Sequence, residues 1–138
     1  MASAAVLYTP DVLALATGLA DFAWDDTLPL QGEARSRSCG STVALALALD
    51  GEGRIARVAV RAQACAIGQA AAAIFARGAV GRSGAEVHAA GEQVARWLTG
   101  EAPLPNWPGL AAIATARDYP GRHGAIELAW RAASDLLP

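Results

Sequence analysis

Between Thr42 and Leu49 apolar residues alternate with period two. Val43, Leu45, Leu47 and Leu49 point one way, and Thr42, Ala44, Ala46 and Ala48 the other. That pattern predicts a half-buried strand. Asp50-Gly51-Glu52-Gly53 follows and is a hairpin signal. Arg54–Arg61 then reads as the return strand, with Val58 and Val60 inward and Arg57 and Arg61 outward. Gln31–Ser38 alternates more weakly and fits an edge strand.

Elsewhere the period lengthens to that of a helix. Asp11 to Phe22 carries Val12, Leu13, Ala16, Leu19 and Ala20 on one stripe, behind Pro10. Ala23–Leu30 reads as a linker. Cys65–Arg77 is an alanine-rich helix that stops at Gly78. Gly84–Leu98 repeats Val87, Ala90, Gly91, Val94, Trp97 and Leu98 at helical spacing, and Thr99-Gly100 ends it. Pro103–Pro108 is a connector and Leu110–Arg117 a short helix. Pro120-Gly121 is expected to break the chain before a last helix, His123–Leu137. Strands followed by helices predict an α+β fold: a small antiparallel sheet of about three strands with helices packed on one face.

Composition narrows the class. At 138 residues the chain is expected to be one domain, residues 1–138, with a real core. No apolar run approaches the roughly 18–20 residues of a membrane span. The N-terminal stretch Met1-Ala2-Ser3-Ala4-Ala5 lacks the basic segment of a signal peptide. The expectation is a soluble cytoplasmic protein without a membrane partner. A net charge of −2 argues against nucleic acid as the main partner.

The candidate chemistry rests on two cysteines. Cys39 lies in Ser38-Cys39-Gly40-Ser41, directly before the first strong strand, where Gly40 lets the backbone turn sharply. Cys65 lies directly after the second, at the start of a helix whose positive end favours thiolate. Antiparallel pairing places the start of one strand beside the end of the other, so both cysteines fall at the same end of the sheet. Taken singly, Cys65 fits a buried small hydrophobe equally well.

The arrangement resembles the iron–sulfur cluster scaffold family of the SufU/IscU/NifU type. The resemblance rests on Cys39-Gly40, a strand hairpin, and a second cysteine 26 positions on (65 − 39) opening an alanine-rich helix. The stretch Tyr119-Pro120-Gly121-Arg122 and Leu128-Ala129-Trp130-Arg131-Ala132 is similar to the closing helix of the SufU branch. The fold implied is the SufE/NifU-like one. The family's aspartate stands as Ser41 here, its third cysteine as Ala125, and the neighbouring histidine of IscU proteins as Gly124.

The resemblance implies a role in iron–sulfur cluster assembly, non-enzymatic, with a cysteine desulfurase and apo iron–sulfur proteins as partners. Cys39 and Cys65 are the expected cluster or metal ligands, with His123 the best third candidate and Cys65 a possible sulfur acceptor. A zinc site or a [2Fe–2S] cluster takes four ligands, and the chain offers two or three. Three mechanisms stay open. The chain holds zinc, iron or a transient cluster with an outside ligand; it accepts persulfide sulfur on one thiol; or it is a degenerate adaptor that binds no cofactor and builds no cluster. A thiol enzyme ranks below these, since no orienting Asp accompanies Cys and His. Glu127 is expected as an exposed helix carboxylate and His88 as a surface or packing residue.

Overall fold

The computed structural model describes residues 7–37 and 39–138. The first five residues, read above for a leader, and Ser38 of the cysteine motif lie outside the described residues. The chain runs α1 (Pro10–Gly18), a 3₁₀ turn (Leu19–Phe22), β1 (Leu30–Arg35), β2 (Thr42–Leu49), β3 (Ile55–Gln63), α2 (Ala66–Ala79), α3 (Gly84–Leu98), a 3₁₀ segment (Leu110–Asp118) and α4 (Pro120–Leu136). It is the α+β architecture expected, with a three-stranded antiparallel sheet in the order β1-β2-β3.

The hairpin forms as the sequence predicts. Asp50 N–H donates to Arg54 O at 2.8 Å, the Asp50 carboxylate accepts from Glu52 and Arg54 N–H, and Gly53 takes the left-handed φ of 81°. A register irregularity at Ala48/Leu49 sets Leu49 opposite Ile55. Val43, Leu45, Leu47 and Val60 enter the main core. The other face of β2 is covered at its middle, where a half-buried strand would be solvated. Ala46 and Ala59 are fully buried there beneath Leu28 and Trp24, which the linker after α1 folds across the sheet. Alanines make this possible, because their small side chains let an irregular segment approach closely.

Helix α2 is the centre of the molecule. Ten of its fourteen residues are buried, on all sides of the helix rather than along one stripe. Phe75 stacks on Trp107 and meets Trp130 edge-on, each with ring centroids 5.5 Å apart. Trp107 Nε1–H donates to Ile74 O at 3.0 Å, so burial leaves this indole satisfied. On α1, Val12 is buried while Leu13 is 48% exposed, and Leu15 and Leu19 complete the packed stripe. The buried face keeps Val12, Ala16 and Leu19 of the expected stripe, with Leu15 in place of the exposed Leu13 and Ala20. Ser83 and Glu86 close a capping box at the start of α3.

Two boundaries near the C-terminus differ from expectation. Leu110–Asp118 is 3₁₀ rather than α, kinked at Ile113 (φ −111°). It is hemmed between Gly109 and Pro120, and Ile113 is buried. Pro120 starts α4 instead of breaking the chain before it. Proline suits a first helical position because its missing N–H would have no partner there. Helix α4 packs against β1, β2, α2 and α3. No helix among the described residues is long and apolar enough to cross a membrane.

Candidate functional site

The β1–β2 and β2–β3 ladders end together. Arg35 pairs with Thr42, and Thr42 with Gln63. The connection 36–41 and the residues after Gln63 therefore leave the sheet at the same end, which puts Cys39 and Cys65 there as expected. The 36–41 connection is tight. Ser36 N–H donates to Ser41 O at 2.8 Å, and Gly40 N–H to Ser36 O at 3.0 Å. Gly40 sits at φ 73°, a conformation its lack of Cβ allows.

Cys39 is exposed on this turn, with Sγ 3.2 Å from Ser41 Oγ. Ser36 and Ser41 are the buried polar residues of the described structure, 3% and 8% exposed. Hydrogen bonds from the Ser36 hydroxyl, then from the Ser41 hydroxyl and backbone N–H, hold the Cys39 thiol below its ordinary pKa, and the positive charge of Arg122 adds to them. A thiolate is the nucleophilic form. Ser41 thus serves the neighbouring sulfur.

Cys65 is the N-cap of α2, with extended backbone (φ −64°, ψ 170°) and no side-chain capping bond. It is partly buried and packs against the main core. Its carbonyl accepts from Gln69 N–H at 2.9 Å, the first hydrogen bond of the helix. Ala125, at the place of the family's third cysteine, is buried on α4 against the first turns of α2. A Cβ on Gly68 would lie 3.1 Å from the Ala125 Cβ. Helix α4 therefore packs close to the start of the helix that Cys65 opens.

His123 lies in the first turn of α4, not on a glycine-rich loop. Its Nε2 is 2.7 Å from Arg117 O, which ties the ring to the preceding 3₁₀ segment. Among the described residues no three His, Cys, Asp or Glu side chains gather into a group that could hold a metal ion. Two thiols without a third donor do not fit a four-ligand zinc or iron site within one chain. Glu127 is half-buried rather than exposed. Burial pushes its carboxyl up, partly offset by Arg131 and His123. His88 packs, its Nε2 3.3 Å from Leu137 O.

Sequence reasoning missed Ser36 and the charge of Arg122. Only the fold brings the N-terminus of α4 to the 36–41 turn, and nothing local marks Ser36 as buried.

No family model and no curated protein matches the chain. Solved structures do. A NifU-like protein (N-terminal part) from Brucella abortus superposes with a TM-score of 0.87 at 27% identity, over 96% of this chain and 93% of that one. A protein described as an iron–sulfur cluster assembly scaffold of the SUF system, from Fervidobacterium islandicum AW-1, gives 0.86 at 21% identity, over 99% and 100%. A hypothetical protein follows at 0.71 and 22%, over 89% and 96%. The three-stranded antiparallel sheet backed by helices is the architecture these structures share with the chain. The chain has the fold of NifU N-terminal and SufU-type scaffold proteins.

Proposed function

We propose that the protein works in iron–sulfur cluster assembly as a sulfur acceptor, with Cys39 as the receiving thiol and a cysteine desulfurase as the donor. The observation that carries this reading is Cys39 itself: an exposed cysteine between the hydrogen-bonded Ser36 and Ser41, with two buried serine hydroxyls and a guanidinium stabilising its thiolate. Likeness in fold to a NifU-like protein and to a SUF-system scaffold protein supports it. Cys65, packed against the core, is the less accessible of the two.

In the transfer, the Cys39 thiolate attacks the terminal sulfur of the donor's cysteine persulfide. A new S–S bond forms on Cys39, the donor S–S bond breaks, and the donor cysteine leaves as thiolate. No electrons are gained or lost overall. Ser36, Ser41 and Arg122 favour the thiolate form of the attacking sulfur. The iron–sulfur cluster is cargo of the pathway, and apo iron–sulfur proteins are its eventual recipients. The absence of a three-donor group among the described residues favours sulfur acceptance over a resident zinc or iron site.

The test is transfer of labelled sulfur. With a cysteine desulfurase, pyridoxal phosphate and labelled cysteine, the wild type should gain one sulfur atom, located on Cys39 by mass spectrometry. Cys39→Ser should lose the gain and Cys65→Ser keep most of it. A wild type that gains no sulfur refutes the reading, and sulfur on Cys65 alone moves the acceptor role there.

A further inference from the structure

The outer face of the sheet carries a trough of about 260 Å³ lined by Glu33, Arg35, Thr42, Ala44, Arg61 and Gln63. The register explains its shape. Glu33, Ala44 and Arg61 stand opposite one another across the three strands, and Arg35, Thr42 and Gln63 form the next row. Small residues on the central strand make the floor, and long polar side chains on the two flanking strands make the walls. The trough opens one residue pair from the turn that bears Cys39.

Its charge is uneven. Arg35, Arg37 and Arg61 are exposed, and none has a carboxylate within ion-pair distance among the described residues. Arg61 lies instead over the Trp24 ring, 4.3 Å from its centroid. Arg122 adds a fourth charge beside Cys39. The chain as a whole has more acids than arginines, 13 to 11. Four other arginines meet acids among the described residues: Arg54 and Arg82 with Glu86, Arg57 with Asp25, and Arg96 with Glu101. The lining carries two arginines, Arg35 and Arg61, against one carboxylate, Glu33, and Arg37 stands on the adjoining turn; a net positive groove attracts an oppositely charged surface and orients it on approach.

We propose that this arginine-walled trough is the docking surface for an acidic segment of the sulfur donor, guiding the donor's persulfide to Cys39. The proposal rests on the sulfur-acceptor reading above, and adds the face used and the chemistry that recognises it. Docking and transfer are separate functions here. Arg35, Arg37 and Arg61 hold the donor, and Cys39 takes the sulfur.

The experiment measures binding of the full chain to the purified cysteine desulfurase of its source organism, at several salt concentrations. Arg35→Glu with Arg37→Glu should weaken binding by a factor on the order of 10 to 100 and flatten its salt dependence. Arg96→Glu with Arg131→Glu, the same charge change on α3 and α4, should leave binding nearly unchanged. Cys39→Ser should bind normally while accepting no sulfur. The thermal unfolding midpoint of each variant shows that it is folded, and the Arg35/Arg37 pair leaves the Arg61–Trp24 stack intact. If both double variants weaken binding equally while wild type still accepts sulfur, the trough is not the dock and the acceptor reading stands. If the wild type neither binds the desulfurase nor gains sulfur, both fall. Single-stranded RNA binding with the same dependence on Arg35 and Arg37 assigns the trough to nucleic acid and overturns the proposal.

Discussion

At Cys39 the chemistry depends on who donates to the sulfur. The serine hydroxyls stabilise the anion, so their loss should raise the thiol's pKa. The rate of Cys39 alkylation by iodoacetamide, followed against pH in Cys65→Ser, should show a midpoint below that of a free cysteine. Ser41→Ala should move the midpoint upward and slow the reaction at neutral pH. The sign follows from linkage: a donor that bonds the thiolate better than the thiol lowers the pKa, and its removal returns it. An unchanged midpoint would mean that Ser41 only shapes the turn. The same reasoning separates the two cysteines. Cys39 was legible as a motif, but its preference for thiolate depends on Ser36 and Arg122, which no local pattern ties to it.

At the scale of elements, α2 and α4 approach each other through glycine and alanine. Gly68 is one turn into α2, and a Cβ there would lie 2.7 Å from the Ala64 Cβ and 3.1 Å from the Ala125 Cβ. Helix propensity alone favours alanine over glycine by about 1 kcal/mol. Overpacking of a tight contact costs about 1–3 kcal/mol, so crowding wins. Gly68→Ala should lower stability in chemical denaturation despite its better propensity. A gain in stability would show that α4 can move away freely. The strands and α3 were readable because period two, the Asp50–Gly53 turn and the Ser83–Glu86 cap all act locally. The start of α4 was not, because Pro120 serves as a breaker or as a first helical residue depending on what precedes it. The 3₁₀ geometry of Leu110–Asp118 was hidden for a related reason: alanine-rich sequence favours α, and the confinement of Ile113 overrides it.

Across the whole molecule, the class of fold and the shared end of the sheet for both cysteines followed from hairpin geometry and hydrophobic period. What escaped the sequence was contact between distant segments. The linker that covers Ala46 and Ala59 with Trp24 and Leu28 carries no periodic signal of its own. Glu127 looked like a surface carboxylate because its burial comes from its position beside α3, in a groove with His88 and Glu92. The contact of His123 Nε2 with Arg117 O is of the same kind, set by the early start of helix α4.

The stacking of Arg61 on Trp24 gives the molecule an optical reporter. Of four tryptophans, Trp97, Trp107 and Trp130 are at most 4% exposed, sealed from anything that happens at the surface. Trp24 alone is half-buried, at the margin of the trough and under its guanidinium wall. A tryptophan-free acidic peptide settling into the trough should therefore change the emission of one indole against a constant background from three. Titration with hexaglutamate should shift the emission of wild type and leave Trp24→Phe unaffected. A change that persists in Trp24→Phe would place the peptide elsewhere.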